Sequence, residues 1–287
     1  MSWLIFAALT ALCESLKDVF SKRGLKQADE YMIAFALRFF ALPFLLPILF
    51  FIDIPALNWK FWVALLVGGG MNVFITILYM KAIKASDLSI TVPMVTFTPL
   101  FLLITSPIIV GEFPGGLGLA GIFLIVFGSY MLNISKRKHG FLAPFKALVK
   151  EKGPRLMLLV AFLWSITANI DKVGAQNSSA MFWVVSFSLF LFVCMVPVVF
   201  LKSKMRISQV ISGWRSFLPV GMFSGLTSIF QITAITMTLV PYVISVKRTS
   251  AVLSVLWGCL FFREKGLKER LLGAVIMIAG VVLITLS

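Results

Sequence analysis

The sequence is poor in the residues that most enzymes place at their sites. It holds one histidine, His139, and three cysteines, Cys13, Cys194 and Cys259, each cysteine inside an apolar run. A single imidazole excludes histidine-ligated metal clusters, and an odd number of scattered thiols offers neither a disulfide framework nor metal-ligand spacing. No metal and no cofactor is expected. Charged residues make up only 13% of the 287, with 11 acids against 26 bases. Nowhere do they gather into a stretch long enough for a water-soluble domain.

What fills the chain is hydrocarbon. Sixty per cent of the residues are hydrophobic, far above the share in soluble domains. A helix needs about 20 apolar residues to cross a bilayer. Ten segments qualify: 2–21, 31–51, 59–84, 88–110, 115–134, 156–174, 180–201, 215–238, 242–262 and 267–286. The expected fold class is an all-α polytopic membrane protein with ten transmembrane helices. The run Trp3–Leu12 has no basic flank before it and no small-residue cleavage motif after it, so it reads as a span and not as a removable leader.

The net charge of +15 does not point to nucleic acid. The bases sit in short loops between apolar runs, the pattern of cytoplasmic loops facing anionic lipid. The expected partners are the bilayer and a small-molecule substrate.

The one long connection, 135–155, is basic and divides the chain into an N-terminal five-helix repeat, 1–134, and a C-terminal one, 156–287. A shift of 150 lays Ser15, Lys22, Gly24 and Pro47 on Ser165, Lys172, Gly174 and Pro197; a shift of 152 lays Glu112, Gly121 and Gly128 on Glu264, Gly273 and Gly280. An odd number of spans per half makes the second copy enter the membrane from the other side, which is an inverted-topology repeat. Loop charges agree. The first loop carries Lys22, Arg23 and Lys26 against Lys172 alone in its counterpart, and the fourth carries none against Arg263, Lys265, Lys268 and Arg270. Basic loops face the cytoplasm, so both termini are expected on the non-cytoplasmic side of a multi-pass cell-membrane protein.

Two adjacent cations, Lys247 and Arg248, interrupt the ninth span. At 1.5 Å per residue they lie about 7 Å inside the hydrocarbon edge, where an unpaired charge costs several kcal/mol. They line a wet path or bind an anion; otherwise they snorkel, or pair with structural acids. On the first span Glu14, Lys17, Asp18 and Ser21 share one helix face, which lipid cannot solvate. Glu14 is either a proton carrier or the neutralising partner of Lys17. Arg38, deep in the second span, needs a partner, and Glu14 matches it in depth. The fourth span carries Pro93, Pro99 and three threonines, Thr91, Thr96 and Thr98, the composition either of a broken helix at a binding site or of a kinked packing helix. Asn72, Asn169 and Gln231 read first as interhelical hydrogen-bonding groups. Gly121, Gly128, Gly273 and Gly280 permit close helix approach, within the chain or at a dimer seam. Glu112 and Glu264 are placed to cap the helix that follows each.

Two five-span halves, each ending in a Gly-Glu or Arg-Glu turn (Gly111-Glu112 and Arg263-Glu264) and a glycine-spaced last span, resemble the drug/metabolite transporter superfamily, and within it the ten-span EamA-like permeases. The likeness covers essentially the whole chain and implies a central cavity, alternating access, and coupling to protons or exchange. The Val246-Lys247-Arg248 stretch, with Ser254 and Phe261-Phe262, is similar to the triose-phosphate translocator branch, where such a pair grips phosphate. That resemblance implies anion binding by Lys247 and Arg248. The branch places a further lysine in the fourth span, at the position of Val95 here. The superfamily's usual orientation has cytoplasmic termini; the loop charges of this chain give the reverse.

The combined expectation is a secondary active transporter, monomer or homodimer, moving a small polar, anionic organic metabolite by alternating access. Lys247 and Arg248 form the anion clamp, Tyr242 and Gln231 orient the substrate, and Arg38 with Glu14 faces the same cavity. The alternative is a proton-coupled exporter of amino acids or drugs with Glu14 as coupling acid. A membrane-embedded lipid-modifying enzyme is more distant, because it needs a convergent acid, base or metal cluster.

Overall fold

The computed structural model describes residues 2–24, 29–85, 92–134, 150–203, 213–253, 256–257 and 267–287. Helices occupy nearly all of them, and no strand occurs among the described residues. In chain order they are α1 (Ser2–Gly24), α2 (Glu30–Phe39), α3 (Leu42–Leu45), α4 (Trp59–Ala85), α5 (Thr98–Ile109), α6 (Gly116–Ile134), α7 (Lys152–Gln176), α8 (Ala180–Lys202), α9 (Trp214–Met237), α10 (Val240–Lys247) and α11 (Leu267–Thr285). Short 3-10 segments follow α3 (Leu46–Phe50) and precede α5 (Val92–Phe97).

By length and composition, five stretches can each cross a bilayer: Tyr31–Phe50, Trp59–Tyr79, Lys152–Gln176, Ala180–Lys202 and Trp214–Met237. Shorter apolar helices, Met94–Ile109, Gly116–Met131 and Leu272–Thr285, fall within three further expected spans. In α1 the ionisable residues Glu14, Lys17 and Asp18 interrupt the apolar run. The sixth span starts at Lys152, ahead of the expected 156, with Pro154 in its first turn, where a missing N–H costs nothing.

The two halves pack as an inverted repeat should. α1 lies on α9 as its counterpart α7 lies on α4; α5 meets α7 as α10 meets α1; α2 meets α9 as α8 meets α4. The last helices of the halves, α6 and α11, pack on each other more extensively than any other pair. A Cβ on Gly121 would sit 2.6 Å from the Gly280 carbonyl, and one on Gly128 would sit 2.6 Å from the Gly273 carbonyl. The 152-residue shift turns one of these contacts into the other, so a pseudo-twofold runs through the pair. Of the two sequence readings of these glycines, the structure shows the contact within the chain.

Interruptions are repeated in the fourth and ninth spans but not in the second, whose counterpart α8 runs unbroken. The second span bends at Phe40–Ala41, where Pro43 and Pro47 restart the chain as a short helix and a 3-10 turn. In the fourth span the α-helix starts only at Thr98, after the 3-10 segment. In the ninth, α10 ends at Lys247 and a turn at Arg248–Thr249 carries i to i+3 bonds, Arg248 N to Ser245 O at 3.0 Å and Thr249 N to Val246 O at 2.9 Å. Helix resumes at Ser250, the repeat equivalent of Thr98. His139, Ser254, Cys259, Phe261, Phe262 and Glu264 lie outside the described residues.

Candidate functional site

The polar face of α1 enters the bundle about 18 Å along the helix from Ser2, at 1.5 Å per residue. Glu14 anchors it. Its Oε2 lies 2.7 Å from Lys17 Nζ and 3.7 Å from Lys247 Nζ, so two ammonium groups on different helices share one carboxylate. Asp18, one turn on, stands 3.9 Å from Lys17 and is far more exposed, at 56% of its side chain. Lys247 also donates to Gln231 Oε1 of α9 at 2.8 Å.

Arg248 behaves differently from its neighbour because the helix ends between them. Its Nη2 donates to Thr98 Oγ1 at 2.9 Å, and that hydroxyl donates in turn to the Val95 carbonyl at 2.7 Å. Among the described residues no carboxylate lies within ion-pair distance of Arg248, and its Nε is buried without a partner. The electrostatic neighbours of the guanidinium are Glu14, Asp18 and the Tyr79 hydroxyl of α4, whose ring packs 5.7 Å from that of Trp164. Beyond the break, Trp257 donates to Ser15 of α1 at 3.0 Å.

Arg38 makes no ion pair shorter than 4 Å with Glu14, its expected partner. The carboxylates acting on it are Asp171 first and Glu14 second. Asp171, in α7, accepts from Trp183 Nε1 at 3.2 Å. Among the described residues, four cations (Lys17, Arg38, Lys247, Arg248) therefore gather against three carboxylates (Glu14, Asp18, Asp171), leaving one formal positive charge over.

A second ionic contact starts from the residue next to Asp171 on α7. Lys172, 5% exposed, pairs with Glu112 and donates to the Thr238 carbonyl at 2.7 Å, while Glu112 Oε2 accepts from Val240 N at 2.9 Å. Glu112 thus caps α10, in the opposite half, and not the helix that follows it. Gly111, at φ +72°, makes the turn that delivers Glu112 there.

Of the residues singled out in the sequence, the structure brings together Glu14, Lys17, Lys247, Arg248 and Gln231. It does not bring Tyr242 to them. That ring stacks on Trp3 at 6.3 Å over Gly118, and its hydroxyl accepts from Ser287 at 3.0 Å, which holds the two chain ends on one face. Asn169 serves as interhelical glue: it accepts from Ser106 at 2.8 Å and donates to Thr105 at 3.1 Å. Asn72 bonds within its own helix, to the Gly68 carbonyl at 3.0 Å. Asp171 was missed, although an acid inside an apolar run is the same signal that singled out Glu14. An apolar groove of about 290 Å³ between α4 and α8 is lined by Phe61, Trp62, Phe182 and Phe190 among others, and Phe61 packs on Trp183 at 5.7 Å.

No curated protein matches the sequence. A crystal structure of a protein 15% identical in sequence superposes with a TM-score of 0.78, covering 99% of this chain and 97% of the other; at that identity the likeness shows the fold alone. The profile of the EamA-like transporter family matches residues 1–134 and again 152–286, one match for each half of the inverted repeat. A chain that carries this profile in both halves, with ionisable side chains turned into a ten-span bundle, belongs to the EamA-like transporter family.

Proposed function

We propose that this membrane transporter moves a small anionic organic metabolite by alternating access of its two halves, with Arg248 as the principal anion ligand. One observation carries the reading. Lys17 and Lys247 are already spent on Glu14, whereas Arg248 holds only a neutral hydroxyl and keeps its Nε donor free. A buried guanidinium in that state lacks its counter-ion, and a planar fork suits a carboxylate or phosphate oxygen pair. The start of α5 beside it adds the positive end of a helix to the same locus. Lys247 then supports the site at one remove by holding Glu14 away from Arg248, and Gln231 fixes Lys247. The clamp expected of two adjacent cations becomes one ligand and one positioning residue, because successive helical residues diverge by about 100°.

The loop charges support an orientation with both termini outside the cytoplasm, and the scheme needs no chemical step. In the exporter reading Glu14 exchanges protons, but its carboxylate is doubly occupied by Lys17 and Lys247, which favours the anion reading. The test is a ligand-stabilisation screen on the purified protein across phosphorylated sugars, carboxylates, nucleotides, amino acids and quaternary amines, repeated on R248A and E14Q. Anion-specific stabilisation that disappears in R248A supports the reading. Stabilisation by amines that disappears only in E14Q overturns it.

A further inference from the structure

Among the described residues, Asp171 is the one carboxylate of the central cluster that contacts no cation. Glu14 has two ammonium groups within 4 Å, and Asp18 has one. Asp171 has a single neutral donor, the Trp183 indole N–H. That donor cannot move away. Trp183 is fully buried, and its ring lies against Gly174 so closely that a Cβ there would overlap it. Charged groups reach Asp171 from two packed elements, Lys247 on α10 first and Arg38 on α2 second, both at longer range; Lys247 is already held by Glu14 and Gln231, which leaves Arg38 as the cation free to respond. Its neighbour Lys172 is committed to Glu112. Tyr79, on the adjoining α4, acts on Asp18, Glu14 and Arg248 and not on Asp171, and α9 presents the uncharged Gln231 to Lys247. An ionised group inside a bilayer span with no contacting counter-ion relieves the cost of its charge by exchanging a proton.

Resting on the transporter reading above, we propose that Asp171 is a proton-binding site of the cavity and that Arg38 is its switchable counter-charge. A proton from the aqueous side forms an O–H bond on the free carboxylate oxygen, while Trp183 keeps the other oxygen. Arg38 then loses the carboxylate that acts on it most strongly, and the cluster's one surplus positive charge becomes two. An anion entering beside Arg248 meets a second uncompensated guanidinium, so proton and anion occupy the cavity together and cross together. Glu14, held between two lysines, stays outside this exchange.

The test needs no identified substrate. Infrared difference spectra of the full chain in lipid nanodiscs, recorded between pH 5 and pH 9, read a buried carboxylic C=O band directly. A band is expected that grows on acidification, moves on carbon-13 labelling of aspartate, disappears in D171N and survives in E14Q. R38Q removes a favourable charge and moves the band's midpoint toward higher pH by about one unit. W183F, which removes the hydrogen bond to the carboxylate, moves it the same way. If D171N fails to fold, D171E retains the band at an altered frequency. Sulfate, whose own charge is constant over this range, serves as probe anion and raises the midpoint. A band unchanged in D171N, or unchanged in D171E where the first variant is lost, overturns the proton site; a midpoint indifferent to R38Q or to sulfate overturns the link to the anion. The band is measured without substrate. Loss of the anion reading, seen as R248A binding like wild type, therefore stays distinguishable from loss of this one.

Discussion

Arg248 Nη2 donates to Thr98 Oγ1 at 2.9 Å, and the bond joins the two interrupted helices at their breaks. Thr98 is the first residue of α5, and Arg248 follows the last residue of α10. The 152-residue shift that superposes the halves carries Thr98 onto Ser250, where helix resumes after the Arg248–Thr249 turn. Each half therefore contributes a broken span at the same repeat position, and the two breaks meet near the middle of the bundle. Irregular backbone at membrane depth is tolerated where it is buried in protein or lines a cavity.

Substituting Arg248 by Ala should lower affinity for the anions that stabilise the wild type by about 2 kcal/mol or more, roughly thirtyfold. T98V, which removes one hydroxyl, should cost about 1 kcal/mol. K247A should lower anion affinity although Lys247 is not itself the ligand, because it frees Glu14 to approach Arg248. Thermal-shift titration of the three variants measures the order, and R248A binding as tightly as T98V contradicts the assignment.

The Lys172–Glu112 pair should behave as a buried ion pair does. Either K172M or E112L alone leaves an uncompensated charge and should cost about 3–5 kcal/mol of stability. The double variant should lose markedly less than the two single losses together. Thermal unfolding in detergent gives the cycle, and additive losses would show that the two side chains act independently.

Gly121 and Gly280 let α6 and α11 touch backbone to backbone. G121L should destabilise the protein by about 1–3 kcal/mol through overpacking, and G128L should match it, since the pseudo-twofold exchanges their contacts. Melting temperatures of the two variants are the check. By contrast G70L should be nearly silent, because a Cβ at Gly70 meets nothing within 4 Å.

Replacing Asn169 by Leu leaves the buried Ser106 hydroxyl without its acceptor at the α5–α7 crossing, while Thr105 keeps the Phe101 carbonyl and Ser165. The one buried hydroxyl left unsatisfied should cost about 1–3 kcal/mol. N169D keeps the acceptor for Ser106 but places a carboxylate with only neutral partners at a fully buried position, so it should destabilise at neutral pH and recover on acidification in unfolding experiments.

Epitope tags on either terminus should be accessible to protease added to intact cells, and a tag inserted near residue 140 should be protected. The loop-charge asymmetry predicts this orientation; protected termini with an exposed tag at 140 would reverse it.

Much of the architecture was legible in one dimension because hydropathy and loop charge are properties of contiguous residues. Ten spans, two inverted halves and the glycine-spaced last helices follow from counting along the chain, and the α6–α11 contact appears where the glycines placed it. The second span was read as apolar but not as bent, although Pro43 and Pro47, which restart it after Phe40–Ala41, stand in the sequence; that Gly221 of α9 makes room for Phe40 there is seen only in the structure. Glu112 was legible as a helix cap but assigned to the wrong helix. Its carboxylate reaches Val240 N across the interface between halves, and sequence spacing carries no record of that distance.

The identity of the charged residues inside the spans was likewise written in the sequence, because an ion in an apolar run stands out wherever the run folds. Which charge neutralises which was decided only in three dimensions. Lys247 and Arg248 are adjacent and alike in composition, yet the end of α10 turns one toward Glu14 and Gln231 and the other toward Thr98. Pairing depends on a few ångströms between different helices, and those ångströms are set by how the two halves pack against each other.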